Sequence, residues 1–465
     1  MASHEQPVFF DQTGKRWQRT KWIFALAAVA TGVLLAIIVP LVTKPVALPA
    51  SQNRPLSTID DLQTSFNASN VPVIGQGQFI RAVEVERRGP AAVISDVFSG
   101  KEIRPLSGGE ASTVSDSRYA LERYGQLPDR QIVRTFDDGP DPEFTPRLLD
   151  ILSRNQVPAA FFVVGSNIVK HPEIAQRMVR ESHALGNHTF SHIDFEYEGT
   201  AKGAQEINQT QRVIRAATGQ QTAFMRVPYG GNTDEAQRDN VKGILQAQRL
   251  GYVAVAYDYD TDDWKFSSKR SPDPAIFDGK GQIFLLHDSG GNRSYTIDYV
   301  EQLIPMAKKA GYSFVNLDTV YPGEPLQGPI SPGLADKAAF STGQAVLVWP
   351  AKFVRWLFTF SVLLTLLITG MNIVLATLGR RRRPPQPPKS YRPSVSLIIP
   401  AYNEELVLEQ SVKSLLRSSY RNLSIVVVDD GSSDGTLEVA RRLSNKYARV
   451  KVLHQPNRGK AAALN

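Results

Sequence analysis

The sequence contains no cysteine. Disulfide bonds, zinc sites with thiolate ligands and cysteine nucleophiles are therefore excluded, and any metal ion must be held by histidine and carboxylate groups. Histidine is also scarce, with 7 residues in a chain of 465. With seven histidines, a pair four residues apart can arise by chance, so such a pair indicates a metal site only together with other candidate ligands.

An excess of negative charge is absent as well. The formal net charge is +8, which by itself could indicate a nucleic-acid partner. Part of this charge, however, lies in the run of arginines at 380–383, directly after an apolar segment. That placement is typical of a membrane surface, so we expect a lipid bilayer as a partner and no nucleic acid. The hydrophobic content of 42% and the charged content of 21% fit folded domains.

Two apolar segments are long enough to cross a bilayer. Residues 22–42 are uncharged and follow a basic arm, whereas residues 356–378 are uncharged and precede the arginine run. Since basic residues stay on the cytoplasmic side, both outer ends are predicted inside and the region between the segments outside. For the first segment a cleaved signal peptide, with its cleavage site near Ala50, is the alternative to a retained anchor. Its apolar core is longer than the roughly 7–15 residues that such peptides use.

The rest of the pattern predicts an outer region and a second α/β unit. Residues 44–125 are rich in Pro, Ser, Gly and Asn, so we predict a stalk or an irregular β element there. From about residue 131 to 317 short apolar runs alternate with helical patterns, which predicts an α/β domain with a parallel sheet or barrel. The predicted division is a cytoplasmic arm at 1–21, an anchor at 22–43, the stalk at 44–125, an α/β domain at 126–322, a linker at 323–352, a transmembrane helix at 353–379, a basic and proline-rich linker at 380–393 and an incomplete α/β domain at 394–465.

Two adjacent carboxylates, Asp137 and Asp138, end an apolar run and precede a Gly-Pro turn. Adjacent aspartates repel one another, so this placement suits a cation, a proton transfer or both. The alternative is turn chemistry alone, with Asp138 as the turn cap. Arg226 and His287 also end apolar runs, and in parallel folds such residues gather at one rim of the sheet.

A pair of histidines, His188 and His192, supplies the other expected metal ligands. Residues four apart can face one cation from the same side of a helical turn. One carboxylate with two imidazoles leaves an open coordination position, which is typical of a catalytic zinc site and not of a structural one. A cation in such a site makes water more acidic and polarises a carbonyl group, so the pattern predicts metal-assisted hydrolysis.

Five short motifs occur along the same region: TFDDGP at 135–140, HTFSH at 188–192, RVPYG at 226–230, DTDDW at 260–264 and LLHD at 285–288. In order and spacing they resemble the five motifs of the polysaccharide deacetylase (NodB-homology) family, carbohydrate esterase family four. The resemblance implies a distorted (β/α) barrel that removes N-acetyl groups from a polysaccharide. It also implies a bound divalent metal, with Zn²⁺ as the expected ion and Co²⁺ as the alternative.

The resemblance assigns roles to the residues that match each motif. It implies that Asp137 is the catalytic base and that Arg226 forms an ion pair with this base. The metal ligands it implies are Asp138, His188 and His192.

On the other side of the site the resemblance implies the groups that act on the leaving amine and the acetyl group. His287 matches the general acid, with Asp260 as its expected partner. Tyr229 matches the residue whose backbone N–H helps to form the oxyanion hole. Trp264 and Leu285 match the walls of the groove that shape the acetyl pocket.

The last 72 residues contain a second set of motifs: VSLIIPAYNE at 395–404, VDDGSSD at 428–434 and NRGKAAALN at 457–465. They resemble the opening of a family two inverting glycosyltransferase of the processive, membrane-bound kind. The resemblance implies a truncated GT-A (Rossmann-like) α/β domain that cannot transfer sugar by itself. The residues it places around a nucleotide-sugar donor are Pro400, Ala401, Asn403, Glu404 and Asp430.

Together these features predict a multi-pass protein of the cytoplasmic membrane. Its outer domain would deacetylate an N-acetylated polysaccharide, and its inner part would belong to a polysaccharide synthase. One alternative is a peptidoglycan N-acetylglucosamine deacetylase unrelated to the product of the fused domain. Another is an inactive glycan-binding module, which would be expected to lack Asp137 or a metal ligand, and the sequence retains all of these.

Overall fold

The computed structural model describes residues 57–67, 71–89, 91–230, 241–380 and 390–464, together with position 388 and a few positions between 21 and 48. The chain divides into two compact units, Met1–Thr359 and Phe360–Asn465. Each unit is described by itself.

The first unit is mixed α/β, as the sequence predicts. Its strands are β1 (Val73–Gly75), β2 (Phe79–Arg88), β3 (Ala91–Asp96), β4 (Glu102–Pro105), β5 (Tyr119–Tyr124), β6 (Gln131–Asp137), β7 (Ala160–Val163), β8 (Ala184–Asn187), β9 (Gln220–Thr222), β10 (Phe224–Met225), β11 (Val253–Val255), β12 (Tyr259–Asp260), β13 (Gln282–His287), β14 (Ser313–Phe314) and β15 (Gln327–Pro329). Its helices are α1 (Ser57–Asn67), α2 (Gly108–Thr113), α3 (Phe144–Asn155), α4 (Gly165–Lys170), α5 (Pro172–Arg180), α6 (Thr200–Thr218), α7 (Val241–Arg249), α8 (Ser294–Lys309) and α9 (Leu334–Gly343). A further helix, α10 (Trp349–Arg380), crosses the division between the units.

The central part of the sheet is parallel. β6 pairs with β7, β13 and β14, and the sheet continues on one side from β7 through β8 and β10 to β11. All four residues of β7 are buried, and so are six of the seven in β6. Apolar side chains such as Phe136 and Phe161 pack outward against Leu148, Leu152 and Val300 of the covering helices. Strands that are buried on both faces explain why the sequence shows continuous apolar runs in this region.

The ring of strands closes through one extended segment. Residues 253–255 pair as β11 with β10 and β2, whereas residues 259–260 pair as β12 with β13. Between them, Asp258 accepts hydrogen bonds from Gln78 Nε2 (3.0 Å), Arg123 Nη2 (3.1 Å) and the Ile283 N–H (2.8 Å). The segment therefore links the interior strand β11 to the edge strand β12, and the path through it corresponds to the distorted barrel expected from the motifs.

The region expected as a stalk is instead part of the sheet. β2 pairs antiparallel with β5 and β3, and it also pairs antiparallel with β11 of the barrel. A buried ionic cluster ties these strands together, since Glu122 accepts from Arg81 Nε (2.6 Å) and Arg104 Nε (2.7 Å). The alternation of apolar and polar residues in β2 carries this signal, but the frequent Pro, Ser and Gly around it suggested irregular structure.

The predicted linker at 323–352 also packs on the barrel domain. β15 pairs antiparallel with β9, and α9 lies against α6. Arg212 Nη1 of α6 contacts Asp336 Oδ1 of α9 at 3.2 Å, and both side chains are buried. Polar and glycine-rich composition led to the prediction of a linker, whereas the paired β15 and the buried ion pair show ordered structure.

One helix of the described residues is long and apolar enough to cross a membrane. It runs without a break from Leu334 to Leu378, through α9, a π-helical segment at Gln344–Val348 and α10, with a mean hydropathy of 2.1 in its most apolar window. It includes the predicted second segment at 356–378. The first predicted segment, at 22–42, falls mostly outside the described residues.

The second unit contains a three-stranded parallel sheet. Its strands are β16 (Val395–Ala401), β17 (Leu423–Asp430) and β18 (Val450–Gln455), in the order β16–β17–β18. Its helices after α10 are α11 (Glu405–Leu416), α12 (Thr436–Lys446) and α13 (Lys460–Leu464). The strand–helix alternation matches the predicted α/β unit, and its core includes Val412, Ile425, Val427 and Ala440.

Replacing Asp258 by alanine should destabilise the first unit. The change removes a carboxylate that three donors share and leaves the Ile283 N–H without its acceptor, a loss of about 2 kcal/mol. We expect the thermal unfolding midpoint of the detergent-purified chain to fall by roughly 4–8 °C, measured by near-UV circular dichroism. Asp129→Ala, at an exposed position close in sequence to β6, serves as the control. Equal midpoints for both variants would show that Asp258 does not hold the closure together.

Candidate active site

The residues singled out by the sequence meet at one rim of the barrel. Asp137 and His287 are the last residues of β6 and β13, and they are direct partners in the strand register. His188 follows β8, and Arg226 follows β10. This is the carboxyl end of the parallel strands, where the alternation of strands and helices predicts a site.

Most of these residues line a single cavity of about 430 Å³. Arg226 is the exception, because it lies behind Asp137 and does not reach the cavity wall. The candidate residues that line the cavity are Asp137, Asp138, His188, His192, Tyr229, Asp260, Trp264, Leu285 and His287.

Asp138, His188 and His192 form a group that could hold a metal ion. Asp138 Oδ1 lies 3.5 Å from His188 Nε2 and 3.0 Å from His192 Nε2, and one ligand atom from each residue falls within 4.8 Å of the others. The buried Asp138 Oδ1 receives no hydrogen bond of good geometry from the described residues. Burial alone would raise the pKa of Asp138, but the close contacts with the two histidines and their charge hold that pKa below its ordinary value.

The orientation of His188 supports the same interpretation. Its Nδ1 lies 2.8 Å from the carbonyl oxygen of Arg226, so Nδ1–H donates to that oxygen and the lone pair of Nε2 faces Asp138. Metal-binding histidines commonly use their second nitrogen in this way. An open set of two imidazoles and one carboxylate fits a catalytic divalent cation.

The two histidines do not lie on a helical turn, as their spacing predicts, but on a loop after β8. His192 has a φ of 57°, which brings its ring back toward His188. Glu206 of α6 accepts the N–H groups of Phe190 (3.0 Å) and Ser191 (2.7 Å) between the histidines. Because these N–H groups find a side-chain acceptor, the loop needs no helical hydrogen bonds.

Arg226 and Asp137 form a buried ion pair. Arg226 Nη1 donates to Asp137 Oδ1 at 2.9 Å and to Thr135 Oγ1 at 2.6 Å. Its other nitrogens donate to the carbonyl oxygens of Val255 and Ala256. The guanidinium is thus held on several sides, and it fixes the position of the Asp137 carboxylate.

His287 pairs with Asp263, and the expected pairing with Asp260 is wrong. His287 Nδ1 lies 2.7 Å from Asp263 Oδ1, while Asp263 Oδ2 accepts the His287 N–H (3.0 Å) and the Thr296 hydroxyl (2.7 Å). Burial lowers the pKa of His287, but the hydrogen bond and charge of Asp263 outweigh it and raise this pKa to about 9. Asp260 lines the cavity instead, and burial raises the pKa of its carboxyl group. Both aspartates belong to one motif, so only the fold distinguishes them.

The expected substrate-contacting residues are partly exposed at the cavity. Tyr229 is 66% exposed and Trp264 is 54% exposed, whereas Leu285 is buried and lines the cavity. Tyr229 has a φ of 57°, and its ring lies 4.7 Å from that of His192 in an edge-to-face contact. An exposed aromatic pair around a polar centre suits the apolar faces of a sugar.

Two residues near the site were missed by the sequence reasoning. Asp288 is buried, accepts from Thr145 Oγ1 (2.5 Å) and donates its N–H to the Asp137 carbonyl (3.1 Å). Burial raises the pKa of Asp288 to about 7. A Cβ on Gly139 would collide with the Asp288 carboxylate, so this residue packs under the Asp-Asp-Gly-Pro turn. Arg293 lines the cavity. Asp288 was part of the LLHD motif but was given no role, and Arg293 lies outside all five motifs.

In the second unit, the predicted donor-binding residues lie at the carboxyl ends of β16 and β17. Asn403 Oδ1 accepts the Ser433 N–H at 2.9 Å, and Asp430 Oδ1 accepts from Gln455 Nε2 (2.7 Å) and the Arg458 N–H (3.0 Å). Pro400 and Ala401 end β16, and Glu404 follows them. Asp429, beside Asp430, contacts His454 Nδ1 at 2.7 Å, a pairing that the sequence did not suggest.

Two family models match the chain. The model described as polysaccharide deacetylase matches residues 124–254, and the model described as glycosyl transferase family 2 matches residues 396–465. Both resemblances found in the motifs are thereby confirmed.

Curated relatives match the first unit. The chain is 32% identical over 207 residues to a peptidoglycan-N-acetylglucosamine deacetylase of Bacillus cereus, covering 44% of this chain and 73% of that protein. It is 32% identical over 210 residues to a chitooligosaccharide deacetylase of Bradyrhizobium, covering 42% and 93% respectively. A peptidoglycan-N-acetylglucosamine deacetylase of Listeria monocytogenes is 32% identical over 200 residues, and the match covers 43% of this chain but 40% of that relative's length.

Replacing Asp263 by asparagine should lower the pKa of His287. The change removes the charge and the strongest hydrogen bond that hold this pKa at about 9, while burial remains and favours the neutral imidazole. We expect His287 in the metal-free chain to titrate below about 7, followed by NMR of ¹⁵N-labelled histidine. Asp262→Asn, which removes an exposed carboxylate that pairs with Lys265, is the matched control. A His287 titration that stays near 9 in Asp263→Asn would contradict the assignment.

Proposed function

We infer the function of this chain from one premise: it belongs to the polysaccharide deacetylase family. We propose that its first unit is a metal-dependent hydrolase that removes N-acetyl groups from a polysaccharide containing N-acetylglucosamine. The observation that carries the proposal is the meeting of a three-residue metal group, an arginine-paired carboxylate and an aspartate-paired histidine around one cavity.

The residues that would hold the metal are Asp138, His188 and His192, and all three line the cavity. When bound there, a divalent cation supplies a Lewis acid that makes water more acidic and polarises the amide carbonyl. We propose Zn²⁺ as the ion, with Co²⁺ as the alternative, because two imidazoles and one carboxylate suit zinc.

The proposed base is Asp137. Its Oδ1 is held by the ion pair with Arg226, and Oδ2, the oxygen that does not bind Nη1, lies 3.8 Å from His188 Nε2 at the metal group. From that position Asp137 can take the proton of a water that attacks the amide carbon.

The proposed acid is His287, on the neighbouring strand end. Because Asp263 raises the pKa of His287 to about 9, its imidazole is protonated at neutral pH and can donate a proton to the leaving amine. The Tyr229 N–H is the proposed donor to the oxyanion, and the proposed acetyl-pocket walls are Trp264 and Leu285.

The polymer itself is part of the proposal. One relative is named for peptidoglycan and another for chitooligosaccharides, so both glycan classes are candidates. The alternative of a peptidoglycan deacetylase unrelated to the second unit is favoured by the first relative. The alternative of an inactive binding module is disfavoured because the base, the acid and the metal group are all present at one cavity.

We further propose that the deacetylase works outside the cytoplasmic membrane, and that the second unit lies inside. Support comes from the apolar helix at Leu334–Leu378 and the basic run that follows it at 380–383. The match to glycosyl transferase family 2 supports a nucleotide sugar as the ligand of the second unit. A polymer made inside would then emerge beside the enzyme that trims its acetyl groups.

The roles of base and ligand can be separated by two substitutions. Asp137→Asn should keep the metal content but lower acetate release at least about 100-fold, because the proton acceptor is lost. His188→Ala should lose the metal itself. Metal is measured by mass spectrometry of the purified chain, and acetate by an enzymatic assay. His171→Ala, at a partly exposed histidine beside Glu173, is the control. Wild-type acetate release from both test variants would refute the assignment.

The polymer can be identified by direct comparison. Chitin-type oligomers, β-1,6-linked N-acetylglucosamine oligomers and peptidoglycan would be offered to the chain with zinc or cobalt added back. A glycan acted on by this enzyme should release acetate in a metal-dependent way. Release from peptidoglycan alone would favour the alternative function, and absence of release from all three would contradict the proposed deacetylase.

A further inference from the structure

Arg293 is a buried cation in the wall of the candidate active site. It is 5% exposed and lines the same cavity as Asp138 and His287. Its Nε donates to the Ser289 carbonyl oxygen at 2.5 Å, and Nη2 donates to the Gly290 carbonyl oxygen at 3.1 Å. The loop between β13 and α8 therefore holds the guanidinium in one place.

This guanidinium has no anionic partner among the residues that the structure describes, which leave out 231–240. It appears in no ion pair there, and its Nη1 forms no hydrogen bond to them. The buried Arg226 and Arg212 differ, since they pair with Asp137 and Asp336. Burying a guanidinium without a counter-ion is unfavourable, and the two loop carbonyls use only some of its N–H groups.

Arg293 lies near the metal group but is separated from it by one residue. A Cβ added to Gly290 would lie 3.0 Å from Asp138 Oδ2 and 3.1 Å from Arg293 Nη2, so only this glycine separates the two groups. Asp138 Oδ1, the other carboxyl oxygen, faces the two imidazoles. Arg293 therefore stands at the edge of the site, on the far side of a metal ligand.

The other charges at the cavity have partners of their own. Asp137 is paired with Arg226, and His287 is paired with Asp263. Asp138 faces the two imidazoles, and Asp260 lines the cavity without an ion pair to Arg293. Arg293 is thus a cation of this cavity that forms no ion pair with the described residues.

We propose that Arg293 binds a carboxylate group in the candidate active site. The inference rests on the proposed function, because a deacetylase produces acetate at this place. A fixed guanidinium fork is suited to the two oxygens of a carboxylate. The ligand has two possible sources, the acetate released by the reaction or an acidic substituent of the glycan chain.

A purely structural role makes a different prediction. If Arg293 only holds the loop through Ser289 and Gly290, its loss would disturb charged and neutral ligands of the cavity alike. If it binds a carboxylate, its loss affects the charged ligand selectively. Acetate and acetamide are similar in size and shape but differ in charge, so their relative affinity separates the two roles.

The test is the ratio of acetate to acetamide affinity in the zinc-loaded full-length chain, measured by isothermal titration calorimetry. We expect Arg293→Met to lower this ratio about tenfold or more, as for the loss of a charge-assisted pair. Arg154→Met removes a cation that pairs with Glu301 at the surface and should leave the ratio as in the wild type. An equal loss of both affinities in Arg293→Met, or no change in either, would overturn the proposal.

Arg293→Lys keeps the charge but not the fork, so its ratio should fall between those of the wild type and Arg293→Met. Should Arg293→Met fail to fold or to bind zinc, Arg293→Lys decides, and an unchanged ratio there overturns the proposal. Because the readout is binding, an inactive wild-type chain would contradict the proposed function without touching this result.

A second experiment, a kinetic comparison, identifies the source of the carboxylate. The kcat/KM of each variant is compared on a neutral N-acetylglucosamine oligomer and on a muramic-acid-containing oligomer of equal length. If the substrate supplies the carboxylate, Arg293→Met should lose several-fold more kcat/KM on the acidic oligomer. If the product supplies it, the loss is the same on both oligomers, and acetate inhibition of the neutral reaction weakens instead. The ratio of acetate to acetamide affinity could also fall while neither the kcat/KM comparison nor the acetate inhibition changes. The carboxylate site would then not be used during turnover, and the proposal would fail.

Discussion

The arrangement of the site depends on the buried guanidinium of Arg226. Its side chain binds the Asp137 carboxylate, and its backbone carbonyl accepts the Nδ1–H of His188. The same side chain donates to the carbonyls of Val255 and Ala256, which lie where the barrel closes. One residue therefore couples the proposed base, one proposed metal ligand and the closure of the sheet, so none of the three can shift alone.

Each of two neighbouring strand ends has a side chain with a buried, charged partner. Asp137 forms an ion pair with Arg226, while Asp263 stabilises the cationic form of His287 and raises its pKa to about 9. The two residues are register partners on adjacent strands, so they face the cavity from neighbouring positions. Low polarity around buried pairs strengthens both interactions, so each pair holds the side chain at its strand end in a fixed position.

Sequence motifs predicted the site better than the surrounding structure. Asp137, Asp138 and His188 were predicted correctly as neighbours because strand ends converge in parallel folds. The pairing of His287 was not, since the spacing within one motif does not distinguish Asp260 from Asp263. The histidine loop was also missed, because its shape depends on Glu206, which lies on a later helix and supplies acceptors that no local pattern reveals.

Strand pairing between distant parts of the chain explains why the predicted stalk differs from the observed structure. The region predicted as a stalk joins the barrel because β2 finds a partner in β11, far along the chain. On the opposite side of α6, Arg212 donates to the Lys44 carbonyl (2.6 Å) and contacts Asp336 (3.2 Å). The chain that follows the first apolar segment and the helix that leads into the second are thus bound to one side chain. Residues 44 and 336, which lie far apart in the sequence, are therefore held next to each other on the surface of α6.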